Sequence, residues 1–454
     1  MISSISPTDG RVLAEYPETS PEDVQQHIER AAHLQTEWEL LAYRERATPM
    51  FKLADLLESN REELAKLVAD EMGKPIAQGL AEADKSAWVC RHYAENAERI
   101  LADETFEADR SKSYVAYRPL GLVLAVMPWN FPLFQVFRFL APALMAGNGG
   151  LLKHASNVTG SALSIDRIVT EAGFPDGLFR TLVLPSSRVG EVLEHPSVVA
   201  ASLTGSDAAG RAVASKAGSL LKKTVLELGG SDPYIVLADA DLEAAAASCS
   251  TARLVNGGQS CIAAKRFIVE EPVVEEFTTL LSQGMAGAVM GDPLDPETTL
   301  GPMARVDLRD ELHDQVERSL AAGANLVMGG EVPVGPGAFY PPTLLANVAE
   351  GMAAYHEETF GPVAAVIGAK NLDDAVRIAN DTEFGLGAAI FTSDVALGEL
   401  VARDRLQAGS CFVNAFVASD PRLPFGGVKM SGYGRELSDI GMREFLNAKT
   451  VVVA

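Results

Sequence analysis

The sequence has few of the residues that stabilise small secreted proteins or zinc sites. Only four cysteines occur in 454 residues, Cys90, Cys249, Cys261 and Cys411, and neither a C-x-x-C pair nor a matching histidine spacing accompanies them. A disulfide framework and a bound metal are therefore not expected. Basic side chains are also few, 38 against 61 acidic ones, which gives a formal net charge of −23 at pH 7. This charge repels phosphate groups, so neither nucleic acid nor an anionic membrane surface is an expected partner.

A long uninterrupted hydrophobic run is absent as well. The longest uncharged stretch, 119–137, is interrupted by prolines and polar residues, and Arg138 closes it. We interpret this stretch as a strand, a loop and a helix rather than a membrane span. The N-terminal MISSISPTDG has neither the charged nor the apolar region of a signal peptide, and we therefore expect a cytoplasmic protein.

Length and hydrophobic periodicity predict an α/β protein of two or three domains. Residues 21–107 have the pattern of long amphipathic helices. From Leu122 to about residue 228, five short apolar runs alternate with helical segments, which is typical of an open parallel sheet covered on both faces. A second strand and helix series follows Asp232. The predicted fold class is therefore α/β, with an open parallel-sheet domain and a second α/β domain.

Ligands of open parallel sheets bind outside the carboxyl ends of the strands. The segment LTGSDAAG, 203–210, predicts such an end, because Gly205 leaves a strand and Ser206 can cap a helix whose amides face a phosphate. Its glycine spacing is G-x-x-x-x-G, so the usual G-x-G-x-x-G dinucleotide fingerprint is absent.

Two side chains are candidates for covalent and base catalysis. Cys261 follows a glycine-rich turn that we expect to lead into a helix, whose amides would stabilise a thiolate; the alternative is a packed free cysteine. Glu227 ends the apolar run VLELGG, where poor solvation raises a carboxyl pKa toward the range of a general base. A capping or salt-bridged glutamate is the alternative there.

Two further side chains follow predicted strands. Asn130 lies in the proline-framed turn MPWNFP, where a rigid amide can donate to a developing oxyanion, although turn asparagines often bond only their own backbone. Lys153 ends the strand LLKHA beside the expected ligand crevice; it is otherwise a solvated lysine.

Six motifs in order, MPWNFP, LTGS, ELGG, GQSC, EETFGP and PFGGVKMSGYGRE, resemble those of the NAD(P)-dependent aldehyde dehydrogenase superfamily across nearly the whole chain. The resemblance is greatest to its succinate-semialdehyde dehydrogenases. It implies that Cys261 attacks the aldehyde, that Asn130 and the Cys261 amide hold the oxyanion, and that Glu227 activates the water that releases a free acid. Glu436 would relay protons.

The resemblance also implies a cofactor site and a domain division. Lys153, Gly205 and Ser206 would contact the ribose and pyrophosphate, and the remaining contacts would come from Trp129, Glu358 and Phe360. The cofactor domain would comprise 1–107 and 122–228 and the catalytic domain 229–430. Segments 108–121 and 431–454 would bridge subunits of a homodimer or homotetramer.

Two departures bear on specificity. NAD-preferring relatives commonly carry a glutamate three residues after the lysine, where this chain has Ser156; we therefore expect NADP as cofactor, with NAD as the alternative. Arg138, eight residues after Asn130, occupies the position of a carboxylate-binding arginine and predicts an anionic aldehyde such as succinate semialdehyde. A second arginine found in some relatives is replaced by Val255, and Ser419 is a candidate substitute donor.

Three other functions compete with this interpretation. A broader NAD-dependent aldehyde dehydrogenase would share the motifs. A cysteine hydrolase or acyltransferase would need a base for the thiol, for which His154 and His356 are the nearest candidates. A noncatalytic structural protein of the same fold would be expected to lack Cys261 or Glu227.

Overall fold

The computed structural model describes all 454 residues, which form four β-sheets surrounded by helices. The strands, in chain order, are β1 (Ile2–Ile5), β2 (Val12–Tyr16), β3 (Glu104–Thr105), β4 (Lys112–Pro119), β5 (Leu122–Met127), β6 (Gly149–His154), β7 (Phe179–Thr181), β8 (Val198–Thr204), β9 (Lys223–Glu227), β10 (Pro233–Val236), β11 (Arg266–Glu270), β12 (Asn325–Met328), β13 (Thr343–Ala346), β14 (Val363–Ala369), β15 (Gly387–Phe391), β16 (Ser410–Val413), β17 (Gly432–Tyr433) and β18 (Leu446–Val453).

Most of the helices cover the faces of these sheets. They are α1 (Pro21–Trp38), α2 (Tyr43–Ser59), α3 (Arg61–Met72), α4 (Ile76–Ile100), α5 (Phe134–Met145), α6 (Thr159–Glu171), α7 (Val189–Glu194), α8 (Asp207–Ser219), α9 (Leu242–Leu254), α10 (Val274–Ala286), α11 (Val306–Ala321), α12 (Ala353–His356), α13 (Leu372–Asn380), α14 (Val395–Asp404) and α15 (Ser438–Arg443). None of them combines the length and apolar character needed to cross a membrane.

Two largely parallel sheets confirm the predicted α/β class. The first has the order β17-β9-β8-β5-β6-β7, parallel from β9 to β7, and contains all five predicted strands of 122–228. The second has the order β12-β13-β14-β11-β10-β15-β16. Strands β5, β6 and β10 are almost entirely buried, because helices cover both faces and leave no polar face to solvate.

The third sheet has the order β18-β4-β3. The C-terminal strand pairs antiparallel with β4 from Leu446 opposite Pro119 to Val453 opposite Lys112, so both candidate strands of the bridging element meet within one chain. Two strands pair across the predicted boundaries of the bridging segments 108–121 and 431–454. Strand β3 lies before residue 108 yet joins this sheet, and β17 lies after residue 431 yet pairs with β9.

Candidate active site

The loop that carries Cys261 has an unusual backbone. Asn256, Gly257 and Gly258 are consecutive residues with φ of 54°, 62° and 74°, inside a 3₁₀ turn that spans Val255–Gly258. A Cβ at Gly258 would lie 2.2 Å from the Gly361 carbonyl oxygen, so only glycine fits there. The prediction that the turn leads into a helix is wrong: after Cys261 the chain makes a short turn and enters β11, since the left-handed residues reverse the chain toward the sheet.

Cys261 opens onto a cavity of about 270 Å³, in which 12 of 19 lining residues are hydrophobic. The polar side chains of this cavity include Arg138, Lys85 and Ser419. Burial raises the pKa of the Cys261 thiol to about 12, against the opposing effect of the positive charges of Arg138 and Lys265. Burial thus disfavours the thiolate, and no helix start supplies the stabilisation of a thiolate that the sequence suggested.

Asn130 lies in the turn after β5 and is fastened to the cysteine loop. Its Nδ2 donates to the Gln259 carbonyl oxygen at 3.0 Å, and Asn256 Nδ2 donates to the Asn130 carbonyl oxygen at 2.7 Å. The side chain is buried. A primary amide has two N–H groups, so the bond to Gln259 leaves the second N–H of Asn130 without a protein partner.

Glu227 is buried at the end of β9, and both of its carboxylate oxygens lack a hydrogen-bond partner. Burial, and next the nearby Glu436 carboxylate, raise the Glu227 pKa well above its ordinary value, while Arg138 acts in the opposite direction. Glu436 itself forms a buried ion pair with Arg138, and burial still raises the Glu436 pKa. Glu227, Glu436 and Arg138 thus form one buried cluster of ionisable side chains, of which Arg138 lines the cavity.

The glycines after Glu227 bring this group close to the cysteine loop. A Cβ at Gly230 would lie 2.7 Å from the Cys261 carbonyl oxygen. The Gly230 amide donates to Glu358 Oε1 at 2.9 Å, and Lys265 Nζ, 3.4 Å from the same carboxylate, donates to the Cys261 carbonyl oxygen at 2.8 Å. Lys265 thereby connects the Glu358 carboxylate to the backbone of Cys261.

Five of the predicted cofactor residues lie at or just after strand ends of the six-stranded sheet, namely Trp129, Lys153, Ser156, Gly205 and Ser206, whereas Glu358 and Phe360 precede β14 of the seven-stranded sheet. In the register of the sheet, Lys153 pairs with Val126, which pairs with Leu203, so the ends of β6, β5 and β8 are level. Ser206 caps α8 by accepting from the Ala209 amide at 3.3 Å, directly after Gly205.

The side chains at this edge suit a dinucleotide. Lys153 is buried, forms no salt bridge, and donates only to Ser186 Oγ at 3.1 Å; burial lowers its pKa. A buried cation of this kind favours an anionic or hydroxyl-rich ligand. Ser156 is exposed beyond the strand end. Trp129, which follows β5, and Phe360, which precedes β14, meet edge to face with ring centroids 5.7 Å apart.

Three residues that hold the site were not identified from sequence. Asn256 and Gln259 connect the Asn130 turn to the cysteine loop, and Gln259 Oε1 also accepts from the Ala304 amide at 2.9 Å. The sequence offered one indication of their role, since they precede Cys261 by only five and two residues. Lys85 is the third, and nothing in α4 distinguishes it from a solvated lysine.

The histidines do not support a cysteine hydrolase. None of them lines the cavity. His154 Nε2 lies 2.9 Å from the Pro132 carbonyl oxygen, and burial lowers the His154 pKa to about 4. His356 is exposed and accepts from the Gly351 amide. A base for the thiol of the kind used by cysteine hydrolases is therefore missing.

Comparison with known proteins identifies the family of this chain. The model of the aldehyde dehydrogenase family matches residues 1–451. The chain belongs to the aldehyde dehydrogenase family. This aldehyde dehydrogenase is 48% identical over 453 residues to a probable succinate-semialdehyde dehydrogenase (NADP+) of Synechocystis sp., with 100% of both chains covered. It is also 48% identical over 454 residues to a succinate-semialdehyde dehydrogenase (NADP+) of Mycobacterium avium, with 99% and 96% covered.

Solved structures agree with these relatives. A succinic semialdehyde dehydrogenase from Streptococcus pyogenes, in complex with NADP+, is 36% identical with a TM-score of 0.97 and full coverage of both chains. An NAD-dependent aldehyde dehydrogenase from Sinorhizobium meliloti is 35% identical with a TM-score of 0.96, covering 100% of this chain and 91% of that one. The fold of the aldehyde dehydrogenase described here is therefore shared with relatives named for either cofactor.

Proposed function

We propose that this aldehyde dehydrogenase oxidises succinate semialdehyde to succinate with NADP. The observation that carries the substrate assignment is the position of Arg138, a buried guanidinium that lines the same mainly apolar cavity as Cys261. In a protein with a net charge of −23, a cation enclosed beside the reactive thiol favours a substrate that brings its own negative charge. The names of the relatives at 48% identity support the same substrate and cofactor.

Cys261 begins the proposed reaction. The S–H bond breaks and its proton passes to solvent water, the sulfur bonds to the aldehyde carbon, and the π electrons of the C=O bond move to the oxygen, which gives a thiohemiacetal oxyanion. The free N–H of Asn130 stabilises the oxyanion, and its bond to Gln259 fixes the direction of that donor. NADP, when bound, would accept the hydride of the aldehyde carbon; the C=O bond then re-forms and Cys261 carries the acyl group as a thioester.

Glu227 completes the reaction by general base catalysis. A carboxylate without hydrogen bonds and with a raised pKa is a stronger base than an ordinary glutamate, and it removes a proton from the water that attacks the thioester. The bond between carbon and Cys261 sulfur then breaks and a free acid leaves. Glu436, paired with Arg138, lies near Glu227 and passes the proton onward.

The preference for NADP rests on Lys153 and Ser156. A serine at position 156 leaves space for a 2′-phosphate and can donate to it, whereas a glutamate there would repel it. The Lys153 ammonium, which has no carboxylate partner, adds a positive charge at the same strand end. Gly205, Ser206, Trp129, Glu358 and Phe360 would hold the rest of the cofactor.

The experiment is a panel of aldehydes assayed at 340 nm with NADP and with NAD. We expect the highest kcat/KM for succinate semialdehyde with NADP, and a clearly lower value for butyraldehyde, which has the same number of carbons but no carboxylate. Equal values for the two aldehydes would contradict the substrate proposal, and a parent enzyme that favours NAD would contradict the cofactor proposal.

Assembly and location form part of the same proposal. The outer edge of β18 pairs with nothing in the chain, and Val452 and Val453 on it are about half exposed, which supports pairing with another subunit in a homodimer or homotetramer. The domain division given by the resemblance, with 108–121 and 431–454 as the bridging element, is proposed with it. Four unbridged cysteines support a cytoplasmic location. Light scattering tests the assembly and cell fractionation tests the location.

A further inference from the structure

Lys85 places a second positive charge in the cavity of Cys261. It lies on α4, and its Nζ donates to Ser419 Oγ at 2.8 Å and lies 4.6 Å from the centroid of the Phe134 ring. Lys85, Ser419 and Phe134 all line the cavity together with Cys261. The ammonium therefore faces the space that a bound aldehyde would fill.

The charge of Lys85 is not neutralised by the protein. No carboxylate lies within 4 Å of its nitrogen, whereas the buried ammonium of Lys74 pairs with Glu82 and that of Lys265 lies 3.4 Å from Glu358. Burial, and next the charge of Arg138, lower the Lys85 pKa to about 8, while Asp420 and Glu82 oppose the shift. An unpaired ammonium in an apolar cavity is costly, and a ligand carboxylate relieves that cost.

The two acidic groups nearest to Lys85 already have other partners. Glu82 accepts from the amides of Leu133 and Phe134 at 2.8 and 3.0 Å, in addition to its pair with Lys74. Asp420 is bonded by Arg422. Glu82 also lines the cavity, but both carboxylates are held by these other groups and neither forms an ion pair with Lys85, which leaves the ammonium available to a ligand.

Arg138 is less available than its position suggests. Its guanidinium pairs with Glu436, donates to Thr204 Oγ1 at 3.3 Å, and lies 4.7 Å from the Phe425 ring centroid. Glu436 thus offsets part of the Arg138 charge, so a second cation in the cavity adds to the attraction of an anionic substrate. Val255, which lines the same cavity, carries no charge at all.

We propose that Lys85 and Ser419 bind the carboxylate of the substrate alongside Arg138, and that Lys85 strengthens its selection over neutral aldehydes. This inference rests on the proposed function, because it names the groups that recognise an anionic aldehyde. Serine orients the ammonium through its hydroxyl and donates its own hydrogen to the carboxylate, so the pair offers two donors of different charge to one anion.

The test compares kcat/KM for succinate semialdehyde and for butyraldehyde in the parent, Lys85→Met, Lys85→Arg and Ser419→Ala. Methionine keeps the packing of the unbranched stem over Phe134 and removes the charge. We expect Lys85→Met to lower the ratio of the two kcat/KM values by about 10- to 100-fold, mainly through KM, as for loss of one charged hydrogen bond. Lys66→Met, which removes an exposed charge from the neighbouring α3, is the matched control and should leave the ratio unchanged.

The pH dependence of the same ratio gives a second readout. Lys85 loses its charge as the pH rises through about 8, so the parent ratio should fall from pH 7 to pH 9.5. Effects of Cys261 and Glu227 cancel in the ratio because both aldehydes need them. Lys85→Arg should retain a high ratio that no longer falls, since arginine stays protonated.

The outcomes separate this inference from the proposed function. A parent that does not prefer succinate semialdehyde overturns the proposed substrate. A parent that does prefer it, with Lys85→Met losing both activities equally or with a ratio that is flat between pH 7 and 9.5, overturns the role of Lys85 alone. A melting temperature measured for each variant identifies misfolding. If Lys85→Met is misfolded, the role of Lys85 is tested by the pH dependence of the parent ratio and by the ratio for Ser419→Ala.

Discussion

Glu227→Gln is predicted to produce an enzyme that forms the thioester and then stalls. The substitution keeps the size of the side chain but removes the base. Loss of a positioned general base lowers the rate of its step by about 10²- to 10⁴-fold, so steady-state kcat should fall by that factor while the first turnover remains fast. Cys261 and Asn130, which act before hydrolysis, are unchanged in this variant.

The same substitution should also stabilise the protein. Burial and Glu436 raise the folded-state pKa of Glu227, so the folded protein binds more protons than the unfolded chain at pH values between the two pKa values. The contribution of this residue to stability is therefore present below its unfolded pKa and is lost as the pH rises through the folded one. Each unit of pKa difference corresponds to about 1.4 kcal/mol. Glutamine avoids this loss, so the variant should melt at a higher temperature than the parent at pH 8, with a smaller difference at pH 5.

Rapid mixing with aldehyde and NADP measures the first part of the prediction. An absorbance burst at 340 nm of about one equivalent per active site, followed by slow turnover, is expected, and intact mass spectrometry should find an acyl group on Cys261. Calorimetry at pH 5 and pH 8 measures the second part. Turnover at the parent rate, or an absent burst in a folded variant, would refute the role of Glu227 in hydrolysis; a lower melting temperature at pH 8 would refute the electrostatic argument.

Three further variants test the remaining assignments. Cys261→Ala should show neither burst nor turnover while still binding NADP, as followed by fluorescence; measurable turnover contradicts its role as nucleophile. Arg138→Ala should raise KM for succinate semialdehyde more than for butyraldehyde, and equal loss would indicate a structural role through Glu436. Ser156→Glu should lower kcat/KM for NADP by about 10- to 100-fold, the value of a hydrogen bond to a charged group, with a much smaller change for NAD; equal changes contradict the cofactor assignment.

Local sequence was sufficient to predict the elements of the α/β fold. The runs from LVLAVM to TVLELGG became five adjacent strands, because a strand covered on both faces must be apolar along its whole length. The same reasoning placed Lys153, Gly205 and Glu227 at strand ends, since parallel strands end at a common edge. The prediction of a helix after Cys261 was wrong. Three consecutive left-handed residues precede the cysteine, and they depend on a close approach between Gly258 and Gly361, about a hundred residues further along the chain.

The sequence by itself was sufficient to predict which groups carry the chemistry, since a thiol, a carboxylate and an amide lie in short motifs at predicted strand ends and turns. Only the tertiary structure decided what surrounds them. The pairing of Arg138 with Glu436 joins residues far apart in the chain, and so does the contact of Lys85 with Ser419. Such contacts carry no local signal, because a lysine on an amphipathic helix has the same pattern whether its ammonium reaches water or a cavity. Burial and the charges of distant neighbours, which set the pKa of each group, arise only when the chain has folded.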